Sequence, residues 1–210
     1  MATFLSKKGG FRAVKHVNGS PYNGQCNIYV VASGQTIVPG DVVKTTGTSV
    51  GGIAEVTAAA GSASEFILGA VVGLVPGGSK LDPVYGKMST GTISLDTPQT
   101  ATGGAYVYVA DSPDVIYSVE KASVALTDIG ANLDVSGSAG GNTVGVSQQI
   151  LGTASTAGNF KVIGFDLTFQ ALDPTVVGQS GFAQVSGGDS NGRVLVTPAN
   201  HVYQGATPAN

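Results

Sequence analysis

Gly188-Asp189-Ser190-Asn191-Gly192 has the G-x-S-x-G spacing of a serine nucleophile. That motif does chemistry only on a strand-to-helix elbow, where the turn exposes the hydroxyl beside an oxyanion hole. Here the residues that follow, Arg193-Val194-Leu195-Val196-Thr197, are β-branched and read as a strand. Asp, Ser, Asn and two glycines in five residues are the composition of a hairpin loop, so Ser190 is expected to sit in a turn and to be catalytically silent. His16 and His201 stand far apart, with no H-E-x-x-H or C-x-x-C companion to make a metal site. The single cysteine, Cys26, excludes an intramolecular disulfide and a Cys-rich zinc site. Lying among apolar strand residues, it is expected to be a buried, reduced thiol. Gly77-Gly78-Ser79-Lys80 and Gly86-Lys87 fail the phosphate-loop spacing, and the aspartates make no EF-hand. Asp82, Asp111 and Asp114 lie in turn contexts, and the absence of Trp argues against a carbohydrate-stacking platform. The residues therefore predict no catalytic group, no cofactor and no bound metal.

The elements around these residues are expected to be almost entirely β. Thirty-two glycines and nine prolines punctuate the chain, and Val and Thr dominate what lies between them. Short β-branched runs closed by Gly, Pro or Asn turns are the pattern of a sandwich or barrel. Strands are expected at 25–31, 53–56, 66–75, 160–169 and 193–197. In Thr36 to Lys44, Pro39-Gly40 is a turn between apolar pairs, with Gly40 taking positive φ. Tyr106–Val109 and Val115–Val119 flank Asp111-Ser112-Pro113-Asp114 and predict a hairpin. Both faces of these two runs are apolar, which fits strands covered on both sides, so Tyr106, Tyr108, Val115 and Tyr117 are candidates for an oligomer interface. Thr127-Asp128 caps a single helical turn that Gly130 stops. Residues 134–159, rich in Gly, Ser, Thr and Asn, read as a long excursion outside the core. The expected architecture is an all-β chain in three consecutive parts. These are an N-terminal arm (1–24), a β-barrel or sandwich body (25–122) and a second β-rich C-terminal lobe (123–210).

Charge points to the company the chain keeps. Charged residues are 11% of the sequence, less than half the ~25% of an ordinary domain. Such a surface suits a protein covered by copies of itself or by a larger shell. A net charge of −3 argues against a general nucleic-acid binder, and no apolar run is long enough to span a membrane. No apolar stretch follows Lys7 and Lys8 as in a signal peptide, so synthesis is expected in the cytoplasm. Lys7, Lys8, Arg12 and Lys15 are four of the ten basic residues, and no acid precedes Asp41. The arm is expected to become ordered on an acidic partner, its cations facing carboxylates while Phe11 and Tyr22 dock into clefts and His16 lies at the contact.

Three stretches carry a resemblance to a known family. Phe11 to Gly24 (Phe-Arg-Ala-Val-Lys-His-Val-Asn-Gly-Ser-Pro-Tyr-Asn-Gly), Val107 to Asp114, and Leu126 to Asn132, with a closing β-segment ending in Asn200-His201, resemble the capsid decoration (cement) proteins of tailed bacteriophages. The likeness covers most of the chain, but in turns and strands. It implies a structural virion protein on the capsid exterior, bound to the major capsid protein and to itself as a homotrimer at threefold positions, bracing the shell. A β-rich fibre or adhesion module that binds a host surface glycan shares the same composition and is the alternative.

Overall fold

A computed structural model of the chain describes residues 9–62, 65–75, 101–121, 124–140, 147–166 and 192–204. Its strands are β1 Arg12–His16, β2 Asn27–Val31, β3 Thr36–Ile37, β4 Val42–Val50, β5 Ile53–Ala58, β6 Gly69–Leu74, β7 Ala101–Thr102, β8 Tyr106–Ala110, β9 Val115–Lys121, β10 Asn132–Ser136, β11 Ile150–Ala154, β12 Phe160–Phe165 and β13 Gly192–Pro198. One 3₁₀ turn, Leu126–Asp128, lies where the helical turn was expected, and Gly130 follows it at φ 85°. The fold is all-β with two main sheets.

The first sheet closes into a small barrel of β2-β5-β4-β6-β8. Tyr29, Val31, Val43, Val56, Leu68, Val71, Val107 and Val109 fill its core. Strand β8 resolves the ambiguity of its two apolar faces: Val107 and Val109 are buried, while Tyr106 and Tyr108 are half-buried. The valines are the smaller side chains, and a five-stranded barrel has little room inside. A two-stranded pairing of β3 with β7 stands beside it.

The second is a mixed sheet ordered β1-β9-β11-β10-β12-β13, with a further pairing of β9 to β13. β11 joins β9 in parallel at Leu151 and Lys121, whereas β13 pairs with β9 antiparallel from Gly192–Lys121 to Val196–Tyr117. Its core is Tyr117, Val119, Leu133, Val135, Leu151, Phe160, Val162, Val194 and Val196, continuous with Val42, Ala59, Ile67, Ala70 and Ala110 from the barrel side. The two lobes thus share one hydrophobic cluster.

Three expectations are corrected. Tyr106–Val119 is not a hairpin, because β8 pairs with β2 and β6 while β9 pairs with β1, β11 and β13. Asp111–Asp114 is instead the corner by which the chain leaves the barrel and enters the second sheet, and Tyr117 Oη donates back across it to Ala110 O at 2.6 Å. Second, the lobes are not consecutive segments: β1 and β9 both lie in the second sheet, so the chain changes lobe at 17–26 and again at 111–114. Third, the described part of 134–159 is not wholly outside the core. Val135, Gln149, Leu151 and Asn159 are buried, since a strand with one covered face needs only alternate apolar positions.

Candidate functional site

The described part of the expected partner-binding arm, residues 9–24, folds onto the chain's own sheet. β1 pairs antiparallel with β9 from Arg12–Ser118 to His16–Val115, with an irregularity between Ala13 and Lys15. The chain then turns at Asn18-Gly19, where His16 N donates to Ser20 O (2.8 Å) and Gly19 takes φ 88°. Asn18 Oδ1 accepts from Ser20 N and Ser20 Oγ at 2.9 and 2.7 Å, closing an Asx turn. Tyr22 N returns to Val14 O at 3.1 Å, so the segment after the turn lies along β1.

Phe11 is the clearest departure from the expected arm. Its ring is 1% exposed, 4.7 Å from Phe160 and edge-on to Tyr117 at 6.4 Å. It pins β1 to its own core and offers nothing to a partner cleft. The sequence hid this because an isolated Phe between glycines and cations carries no periodicity. Arg12 is exposed, and Lys15, His16 and Tyr22 are half-buried. His16 and Tyr22 lie 5.9 Å apart, ring to ring, so these two candidates remain together. Lys7 and Lys8 lie outside the described residues. Val115 and Tyr117 are fully buried in the chain's own core and drop out as interface candidates, leaving Tyr106 and Tyr108.

Beside this edge lies a polar cluster that sequence reasoning missed. Asp111, at the corner, accepts from Tyr29 Oη (2.6 Å) and Asn27 Nδ2 (2.9 Å), and Tyr203 Oη lies 3.2 Å from Tyr29 Oη. Burial, then the Asp111 and Tyr203 hydrogen bonds, push the Tyr29 phenol up. Burial, with the charges of Cys26 and Asp111, raises Tyr22 to about 12. Cys26 precedes β2 and is half-buried rather than enclosed, and burial and Asp111 raise its thiol. His201, for which the sequence offered no metal-site companion, is 1% exposed and hydrogen-bonded at both ring nitrogens. The hydrogen-bonded pairs among Asp111, Asn27, Tyr29 and Tyr203 are separated by 82 to 174 positions in sequence, which is why no local motif announced them.

A second polar group ties the lobes together. Asp41 is fully buried and accepts from Val38 N (2.9 Å), Gly140 N (2.8 Å) and Ser147 Oγ (2.6 Å). Gln149 Oε1 accepts from Val42 N at 2.6 Å while its Nε2 donates to Ala59 O at 3.0 Å. Ser190 and its neighbours lie outside the described residues, but Gly192–Pro198 is a strand, so the helix that a nucleophile elbow requires does not follow. Among the described residues, no three of His, Cys, Asp and Glu come together as a metal-ligand set. The chain matches no family model, no curated protein and no solved structure.

Proposed function

We propose that this chain is a non-catalytic structural protein that binds the outside of a tailed-phage capsid and braces it, as a homotrimer at threefold positions. The observation that carries the reading is the placement of Phe11 to Gly24, the longest stretch with the family resemblance. It forms the terminal strand and returning turn of the second sheet, with Arg12 exposed and Lys15 half-buried, inside forty residues that contain no acid. A cationic edge on a low-charge β body suits a generally acidic capsid exterior. Tyr106 and Tyr108, half-buried on the barrel, are the remaining candidates for contacts between copies. The contact on the capsid is therefore a folded edge and whatever precedes it, rather than a free arm of 24 residues.

The test is cryo-electron microscopy of the virion of the phage whose genome carries the coding sequence, together with re-addition of purified protein to stripped capsids. Density for this chain at threefold or quasi-threefold positions is expected. A variant with Lys7, Lys8, Arg12 and Lys15 all changed to Gln should bind more weakly at low salt, the difference shrinking as salt rises. Density on tail or fibre instead, or binding to an isolated host glycan with none to capsids, overturns the proposal.

A further inference from the structure

His201 sits where the last described segment leaves the second sheet and closes against the barrel. After β13 ends, Ile67 N donates to Asn200 O (2.7 Å) and Val202 N donates to Ile67 O (3.0 Å). These two bonds flank the parallel bridge between Ile67 and His201. Between them the imidazole is inserted, 1% exposed, with Nε2 2.8 Å from Leu68 O and Nδ1 accepting from Tyr203 N at 3.1 Å. A carbonyl can only accept and a backbone N–H can only donate, so the partners select one state: the neutral ring protonated at Nε2. The Tyr203 ring then lies 5.4 Å from the imidazole, tilted by 49°, and places its hydroxyl beside Tyr29, at the barrel wall.

Protonation of this ring must put a hydrogen on Nδ1, where it faces the Tyr203 N–H. Two donors then oppose each other, one hydrogen bond is lost, and a cation is left in a buried site. The charged and titratable groups around the ring are Asp111 and Asp114 at the corner, Tyr29 on β2, and Tyr203 on its own segment. The Leu68 carbonyl, the charge and backbone of Asp111 and the charge of Asp114 favour the imidazolium, while Asp111 Oδ2 already serves Tyr29 and Asn27. Glu65, in the segment leading to Ile67, is paired with Lys44. Burial outweighs these backbone and acidic groups together and holds the ring below its ordinary value of 6.5.

We infer that His201 is an acid-operated latch, whose protonation releases residues 199–204 from the Ile67–Leu68 segment while the barrel and the second sheet stay formed. The inference stands on this geometry and does not depend on the capsid reading. Released, the segment would free the Ile67 and Val202 amides and part Tyr203 from Tyr29, changing the surface beside the corner between the lobes.

The experiment is amide hydrogen exchange on the full chain at pH 7.5 and pH 5.0, corrected for intrinsic exchange rates. The Ile67, Val202 and Tyr203 amides should lose protection at pH 5.0, by up to about thirtyfold, the limit set when the released ring titrates at 6.5. Amides of β9, β12 and β13 should keep theirs. His201→Asn retains an acceptor for Tyr203 N–H and cannot take up the proton, so its exchange at these three amides should be the same at both pH values. Unchanged protection of the three amides in the native chain, or an equal loss throughout both sheets, overturns the latch. So does an Asn variant that still opens in acid. Should that variant not fold, the native chain's exchange pattern decides alone.

Discussion

Gln149 does at one residue what a strand does with its backbone. Its amide accepts from Val42 N and donates to Ala59 O, so it extends the β4–β5 ladder by one side chain from the other lobe. Replacing it by Leu keeps the volume but strands a buried donor and a buried acceptor, at a cost of about 1–3 kcal/mol each. A loss of about 2–6 kcal/mol in urea unfolding is expected, and a loss under 1 kcal/mol would show that water or rearrangement replaces the amide. Asp41 makes the complementary contact, and its titration has a definite sign. Burial raises its carboxyl above the ordinary 3.8 against the opposing pull of Ser147, Gly140 and Val38. A raised acid stabilises most when protonated, so its contribution declines as pH rises from about 3.8 through the folded value. The lowered His201 does the reverse, its contribution being lost as pH falls below 6.5. Asp41→Asn should therefore remove a part of the pH dependence that lies on the acid side and falls with rising pH. Identical stability–pH profiles of the variant and the native chain would contradict this.

Among the elements, β1 and β9 teach most about what the chain's own pattern reveals. The strand at 193–197, the turn at Pro39-Gly40 (Gly40 at φ 93°) and the 3₁₀ turn before Gly130 were legible because local chemistry alone decides them. Pairing was not. Val115 to Glu120 are buried on both faces, so no alternation tells which strand lies alongside, and the Ser-Pro corner resembles a hairpin although it joins two sheets. The candidate site suffered in the same way. Its cations were visible as a charge imbalance, but the anchoring of Phe11 against Phe160 depends on a partner 149 positions away in sequence (160 − 11). Phe11→Ala should cost about 3–5 kcal/mol, as expected for a large aromatic removed from a core. Deleting residues 1–15 should destabilise the second sheet, since β1 and its bonds to β9 go with them. A truncated protein with native thermal stability would restore the idea of a detachable arm.

At the scale of the whole molecule, the question is whether two sheets make two folding units. Among the described residues the chain crosses between them at 17–26 and at 111–114, and one cluster of buried side chains runs from Ile67 and Ala70 at the barrel to Phe160 and Val196 in the second sheet. Polar contacts cross the same boundary. Asn159 Nδ2 donates to Ser62 O (3.0 Å) and Glu65 O (3.1 Å), and Gly61, at φ 80°, brings the barrel loop so near β10 that a Cβ there would lie 1.8 Å from Val135 O. Neither lobe can be removed without uncovering apolar surface and unsatisfied backbone groups of the other, which is the condition for all-or-none behaviour. Unfolding should therefore be a single transition in neutral buffer, coincident whether followed by tyrosine fluorescence or by far-ultraviolet dichroism. Gly61→Val, which both crowds Val135 O and forces a β-branched residue to positive φ, should lower that one midpoint rather than split it. Two separated transitions, or a Gly61 variant that melts the barrel while leaving β9–β13 protected from exchange, would mean that the shared core does not couple the lobes. The coupling also bears on the latch, because local release of residues 199–204 is observable only while the rest of the molecule holds together as one unit.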